Sequence, residues 1–317
     1  MQKPTLTLFT FLVFQLLTFA QQEIAIEDGK AAITKLEIPN ANPDKIISHQ
    51  GYSVLYNETH QQADWVAYIL TKEKTKKLFN RINKFIPDPK IKTCITSDKD
   101  YAHSGYDRGH LAPAADMCWS ATAIKESFYY SNMSPQQPGF NRGAWKKLEE
   151  QVRKWAIEND SIYIVTGPVL SNALPTISTS SISIPEYFYK VILDYKEPGI
   201  KGIGFILPNT TSKEPLQQFA VTIDSVEKFT GIDFFPLLPD YQEKIIEKTL
   251  CMVCWWDSKK ITDIKYKSKP IVSGRKSNDV NNKKISKSLS VQCSRTTKSG
   301  NRCKRMTKSS NGRCYQH

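Results

Sequence analysis

Asp107, Arg108 and His110 fall within four consecutive positions, with Gly109 between the last two, in the stretch SGYDRGHLAPAADM, Ser104–Met117. A neutral imidazole, with an ordinary pKa of about 6.5, accepts a proton at neutral pH. The forked guanidinium of Arg108 matches the oxygens of a phosphate or carboxylate. Asp107 can orient a neighbour through a hydrogen bond or an ion pair. Gly109 and Pro113 let the chain bend sharply around the histidine. A base beside an anion clamp suits hydrolysis of a phosphodiester. Taken alone, these residues fit equally well a loop histidine next to a local Asp–Arg pair.

The elements that must position these groups can be read on either side. GYSVLYNE and ADWVAYILT interleave Val, Tyr, Trp and Ile with polar residues and predict strands. A basic stretch, KEKTKKLFNRINKF, and a proline break, IPDPK, precede the histidine segment, which is expected to be irregular. ATAIKESFYYSNMSPQ predicts a short helix running into a loop. NRGAWKKLEEQVRKWAIEND is the clearest helix: Trp145, Leu148, Val152 and Trp155/Ala156 recur at helical spacing, and Asn141 is a favoured capping type at its start. SIYIVTGPVL, EYFYKVILDY and KGIGFILPN predict three more strands. PLQQFAVTIDSVEKFTG and YQEKIIEK predict two further helices, the first closing at Gly231. Strands and helices do not alternate regularly, so the reading is α+β and not a doubly wound sheet.

GYDRGHLAPAADM, followed by FYYSNMSPQQPGFNRGAWKKLEEQVRKW, closely resembles the DNA/RNA non-specific endonuclease family, the ββα-metal (His-Me finger) nucleases. The likeness continues through VTGPVL, YFYKVILDY and TGIDFFPLLP and spans roughly Tyr52 to Trp256. It implies an antiparallel sheet flanked by helices and a metal-dependent endonuclease that leaves 5′-phosphate products. Matched motif by motif, it implies that His110 is the general base that activates water and that Asn141 is the single protein ligand of a catalytic Mg²⁺ (or Mn²⁺). It likewise makes Glu149 an acid that acts on the metal through water, sets Arg108 and Arg153 near the phosphate or the metal's water shell, and puts Asn132 beside the site. Arg81 is the one arginine upstream in that region, with no motif to anchor it.

The residue types agree with this chemistry on their own. Mg²⁺ prefers six oxygen ligands and keeps several waters, so one Asn carbonyl leaves room for a phosphate oxygen. On a continuous helix, positions 141 and 149 lie about 80° apart and about 12 Å along the axis, which keeps Glu149 out of the first coordination shell. Arg153, four residues after Glu149, could instead pair with it. Chemistry directed at the nucleic-acid backbone needs no base contact, so low sequence specificity follows. Two other readings of the chain stay open: a nucleic-acid-binding protein without turnover, and a phosphodiesterase with another substrate. A toxin of the same family would often carry a delivery domain, and this chain shows only a leader-like segment and a basic tail.

Composition sets the surroundings. The chain has 317 residues, 40% of them hydrophobic, enough for one core of roughly 200–250 residues plus appendages. The expected organisation is a signal peptide (1–20), a lead-in (21–43), the endonuclease domain (44–256), a basic linker (257–291) and a Cys/His-rich module (292–317). The first segment follows Lys3 with an apolar run that ends in small residues at Thr18 and Ala20, which suits cleavage on export to the periplasm or the extracellular medium. From Ser258 to His317 there are 17 Lys/Arg against 2 Asp/Glu, a net of +15; with +13 overall, the rest of the chain sums to −2. Each cation that neutralises a phosphate releases a counterion, so the tail is either a polyanion anchor or a solvated linker. Cys293, Cys303, Cys314 and His317 could build a tetrahedral Zn²⁺ site or could oxidise. Setting those three cysteines aside leaves Cys94, Cys118, Cys251 and Cys254, an even set that could pair as Cys94–Cys118 and Cys251–Cys254. The partners expected are DNA and/or RNA, with a homodimer left open.

Overall fold

A computed structural model of the protein describes residues 35–177, 181–197, 199–256, 291–292 and 306–307. The leader-like segment, the linker up to residue 290 and all four Cys/His residues of the tail module lie outside the described residues. The chain divides into two units, Met1–Ile264 and Lys265–His317. In the second, Val291–Gln292 pairs antiparallel with Met306–Thr307.

In chain order the first unit forms β1 (Ile46–Ser48), β2 (Ser53–Asn57), β3 (Gln62–Thr71), α1 (Asp98–Tyr101), β4 (Asp107–His110), α2 (Ala121–Glu126) and β5 (Met133–Gln136). It continues with α3 (Lys146–Glu158), β6 (Ser161–Pro168), β7 (Tyr187–Asp194), β8 (Lys201–Pro208), β9 (Ala220–Val221), α4 (Ile223–Thr230), α5 (Asp240–Lys248) and α6 (Met252–Trp256). Seven strands make one antiparallel sheet in the order β1-β2-β3-β6-β7-β8-β9. The α+β reading therefore holds, with the antiparallel sheet and flanking helices that the resemblance implied.

The period of two along β3 sorts its side chains between two cores. Val66, Tyr68 and Leu70 join a cluster with Trp145, Leu148, Val152 and Trp155, whereas Trp65 and Ala67 join one with Ile223, Val226, Phe234 and Ile246. The first cluster puts α3 on one face of the sheet; the second puts α4 and α5 on the other. β3 pairs directly with β6 (Val66↔Thr166 to Thr71↔Ser161), so everything from residue 72 to 160 is an excursion on the α3 face. That excursion carries the histidine motif.

α3 is held by its apolar stripe: Leu148, Val152, Trp155 and Ala156 are all buried. Trp155 also donates from Nε1 to Trp255 O at 2.6 Å, with the two rings 4.8 Å apart, which ties α6 to the same core. Trp155→Ala would cost about 3–5 kcal/mol. Cys251 and Cys254, at the entry to α6, are joined by a disulfide. Cys94 and Cys118 are free thiols, so the expected Cys94–Cys118 pairing is corrected. Both are buried in the core, and the Cys118 thiol donates to Ala114 O at 3.2 Å.

Three local readings also change. The histidine segment is not irregular, because Asp107–His110 forms a two-stranded ribbon with Met133–Gln136. The stretch from Pro215 to Gly231 is not one helix: a 3₁₀ turn (Leu216–Phe219) and β9 come before α4, whose true cap is Thr222, accepting from Ser225 N at 3.2 Å. It does close at Gly231, in the left-handed region at φ 76°, where glycine carries no Cβ penalty. Asn141 is not a helix cap either. It lies inside a π-helical turn, Phe140–Trp145, broken at Gly143 (φ −106°, ψ −106°), so the continuous-helix spacing between Asn141 and Glu149 does not apply.

Candidate active site

β4, β5 and α3 place the candidate residues around one cleft of about 580 Å³. His110 ends β4 opposite Met133, and its backbone carbonyl accepts from Trp145 Nε1 at 3.3 Å, which locks the strand end to the start of α3. Gly109 is needed for this close ribbon: a Cβ there would meet the Gln136 side chain at 2.1 Å. The imidazole packs edge-on against Phe128, ring centroids 4.9 Å apart, and is 8% exposed. Its Nε2 is buried without a hydrogen-bond partner among the described residues. Burial, then the charges of Arg81 and Arg108, push its pKa down to about 3. His110 is therefore a neutral imidazole at physiological pH, as a proton acceptor must be.

Asn141 also faces the cleft. Its Nδ2 donates to Asp107 Oδ2 at 2.9 Å, which turns the carbonyl oxygen of the amide the other way. Arg142 locks the same carboxylate with two bonds, Nε to Oδ2 at 2.9 Å and Nη2 to Oδ1 at 2.6 Å. Asp107 thus orients Asn141, the role its type suggested. Arg108 bonds Asp98 and lies over the Phe85 ring, 4.2 Å from its centroid. Tyr130 OH donates to the same Asp98 oxygen at 2.6 Å.

Glu149 and Arg153 line the far side of the cleft, one turn apart on α3. They are not an ion pair. Arg153 reaches across to Asp116, Nη1 to Oδ1 at 2.8 Å, and Asp116, fully buried, also accepts from Tyr68 OH at 2.8 Å. Glu149 makes no hydrogen bond to the protein among the described residues. Burial pushes its carboxyl pKa up, against the pull of the buried Lys190, whose own pKa burial pushes down. Lys190 Nζ has no hydrogen-bond partner among the described residues and lies over the Trp145 ring at 4.7 Å.

Asn132 stands beside the cleft and not in its lining. Its side chain is fully buried, accepting from Ala112 N at 2.9 Å and donating to Ala112 O and Ser127 O at 2.9 and 2.8 Å. It fixes the backbone that follows His110, and with every polar atom so engaged it has no group left for a substrate. The residues that sequence reasoning left without a role are Arg142, Lys146 and Asp116, with Arg81 unanchored. Arg81 does line the cleft. No spacing rule announces Asp116, an acid among alanines, but a lone Asp bounded by Ala and Met is a signal of burial that can be sought.

The lining carries five cations, Arg81, Arg108, Arg142, Lys146 and Arg153, against one carboxylate, Glu149. Such a wall selects an anion. A neutral imidazole, an amide carbonyl unengaged among the described residues and this cationic rim together suit attack of water on a phosphodiester. A sequence model of the DNA/RNA non-specific endonuclease family matches residues 29–241. The chain belongs to the DNA/RNA non-specific endonuclease family. Membership places it among metal-dependent nucleases, which hydrolyse the phosphodiester bonds of nucleic acid. It is 35% identical over 212 residues to nuclease C1 of Cunninghamella echinulata var. echinulata, covering 61% of this chain and 83% of that one. It is 32% identical over 227 residues to the mitochondrial nuclease EXOG of Danio rerio, covering 66% of this chain and 64% of the relative. Mitochondrial endonuclease G of Bos taurus is 31% identical over 226 residues. Among solved structures, the crystal structure of the EndoG/EndoGI complex superposes with a TM-score of 0.61 at 31% identity, covering 66% of this chain and 92% of that one. Relatives thus include mitochondrial and fungal nucleases, and an inhibitor complex is among the structures similar to this chain.

The family's divalent metal can be tested against the residues present. Apart from the His110 imidazole, the metal donors of the cleft lining are hard oxygens, the Asn141 carbonyl and the Glu149 carboxylate, with no thiol among them. That donor set fits a hard, strongly hydrated cation. Asp107 is spent on Asn141 and Arg142, so it is a positioning group and not a ligand.

Proposed function

We propose that this chain is an exported, Mg²⁺-dependent endonuclease that cuts DNA and/or RNA without sequence preference and leaves 5′-phosphate ends, with His110 as general base and Asn141 as metal ligand. The observation that carries this reading is the buried, neutral His110 on a cleft lined by five cations, the Glu149 carboxylate and the Asn141 amide.

His110 accepts the proton of the attacking water as its oxygen bonds to phosphorus. The bond from phosphorus to the 3′-oxygen breaks, so the phosphate stays on the 5′ side of the next nucleotide. Arg108 and Arg81 flank the histidine, and besides depressing its pKa they face the non-bridging oxygens, where negative charge accumulates. Asn141, held by Asp107, would ligate the Mg²⁺ and Glu149 would hold it through a water; when bound, the ion draws charge from the phosphate and stabilises the leaving oxygen. Contacts of this kind go to the phosphate and not to base edges, which supports the absence of sequence preference.

The test is incubation of the purified protein with supercoiled plasmid and with RNA, in Mg²⁺ or EDTA, beside His110→Ala. Degradation that needs Mg²⁺ and disappears in the variant is the expected result. Intact substrate in every lane, with both proteins folded, would sink the nuclease reading and favour binding without turnover or another diester substrate.

Export rests on the apolar leader and its small residues, and is checked by the N-terminal sequence of protein recovered from the medium or periplasm. The charge split of +15 against −2 gives the tail a second role, holding a weakly acidic body on its polyanionic substrate. Removal of residues 258–317 should lower DNA affinity and flatten its salt dependence; unchanged values for both would discard that role.

A further inference from the structure

On the sheet face opposite the cleft, α4 and α5 turn carboxylates toward one another. Asp224 and Glu227 sit three apart on α4, Glu243 and Glu247 four apart on α5, so each pair shares a helix face. One oxygen each from Asp224, Glu227 and Glu247 lies within 4.8 Å of the others, and the same holds for Asp233, Glu243 and Glu247. Glu247, common to both groups, is 8% exposed, and its Oε1 is buried without a hydrogen-bond partner among the described residues.

Such crowding is costly without a counter-charge. None of the five carboxylates forms an ion pair with a Lys, Arg or His among the described residues. The hydrogen bonds they do make are few: Glu227 Oε1 accepts from Phe234 N at 2.9 Å, and Asp233 Oδ2 from Asn40 Nδ2 at 3.2 Å. Burial first, and neighbouring carboxylates second, push the pKa of Glu247 up. A buried acceptor aimed into a group of acids needs either protons or a cation.

We propose that Asp224, Glu227 and Glu247 form a Ca²⁺ site, flanked by Asp233 and Glu243, that clamps α4 to α5 and is separate from the metal of the cleft. The ligand set chooses the ion. All donors are carboxylate oxygens, with no imidazole or thiol in the cluster, which disfavours zinc and copper. The carboxylates come from two helices and the loop between them, an irregular arrangement that the flexible coordination of Ca²⁺ accepts and the strict octahedron of Mg²⁺ does not. The loop between the helices inserts Phe234, Phe235 and Leu238 into the core, so a tie across its ends would hold that insertion in place.

The full-length protein, stripped with EGTA at pH 7.5, is titrated with CaCl₂ by calorimetry and by thermal unfolding. The expected result is one strong Ca²⁺ and a Tm rise of about 5–10 °C at 100-fold excess over Kd. Asn141→Ala should keep both, and Glu247→Gln should lose both while remaining folded, since Gln fills the same volume. Asp224→Asn, at a partly exposed position, decides the matter should Glu247→Gln not fold. No Tm rise in the wild type overturns the proposal. A rise lost in Asn141→Ala but kept in Glu247→Gln and Asp224→Asn also overturns it, because the ion then sits in the cleft. An equal rise with MgCl₂ overturns the assignment to Ca²⁺.

Discussion

The two faces of the central sheet solve opposite electrostatic problems with the same scaffold. On the α3 face, five cations surround a neutral histidine and one carboxylate. On the α4–α5 face, four carboxylates surround a fifth, the buried Glu247, with no cation paired to them among the described residues. Both arrangements are costly to assemble in a protein of marginal stability, because like charges are gathered and partly desolvated. The cleft relieves its strain in part from within: Asp98, Asp107 and Asp116 each hold one of its arginines. The opposite face has no such partners among the described residues. A set of charges held apart by counter-ions of the protein's own is ready to receive a substrate, whereas a set without them is ready to receive an ion.

The largest effect that would break this contrast is on the cleft side. His110→Ala should lower kcat by about 10²–10⁴-fold with the protein still folded, measured on plasmid DNA in saturating Mg²⁺. Retained activity would mean that another group is the base, and the neutral pocket around His110 would lose its meaning. Next comes Asp116→Ala, which strips Arg153 and Tyr68 of their shared acceptor in the core. Breaking one partner of a buried pair costs about 3–5 kcal/mol, or a Tm fall of roughly 10 °C. A fall of only a degree or two in a thermal melt would show that Arg153 is held by something other than Asp116.

Much of this was legible in the sequence, for physical reasons that differ from element to element. β3 and α3 announce themselves because each buries one face, and burial imposes a period: Val66, Tyr68 and Leu70 alternate, and Leu148, Val152 and Trp155 recur by turns. β4 was hidden because Asp107, Arg108 and Gly109 are chosen for chemistry and close approach, and such residues erase strand periodicity. The π-helical turn at Asn141 was hidden too, since nothing in FNRGAW distinguishes it from a regular helical start. Asp107, Asn141 and Arg142 lie up to 35 positions apart, and no local pattern could say that they meet. The carboxylate cluster combines legible helical spacings with a meeting of two helices, and only the fold supplies the second.

The histidine gives a pH test of intermediate size. Its folded pKa, about 3, lies below its ordinary value of 6.5. Between those values the unfolded chain binds the extra proton, so stability is full above about pH 6.5 and falls as the pH drops toward 3. From pH 7 to pH 5 the loss attributable to this group is about 2 kcal/mol. His110→Ala should lose that much less over the same interval in urea titrations. Parallel losses in the two proteins would show that His110 titrates freely in the fold, and that burial and the two arginines do not hold it neutral.

The smallest effect is the most specific to the cleft's logic. Asp107→Ala removes the acceptor of the Asn141 amide and of Arg142 at once, while leaving both residues in place. Arg142 is exposed, and its pair contributes little to stability, so thermal unfolding should barely change. The amide of Asn141, however, is then free to turn its carbonyl away from the cleft. Half-saturating Mg²⁺ should rise by about 10–100-fold, as when the partner of a metal ligand is lost, with kcat at saturating metal within a few-fold of the wild type. Asp107→Asn keeps an acceptor oxygen for the amide and should recover most of the metal affinity. An unchanged Mg²⁺ requirement in Asp107→Ala would show that the orientation of Asn141 is set by its π-helical turn alone. The carboxylate at 107 would then serve only to hold an arginine, which is what distinguishes the acids of this face from those across the sheet: here they place other groups, and there they await a ligand of their own.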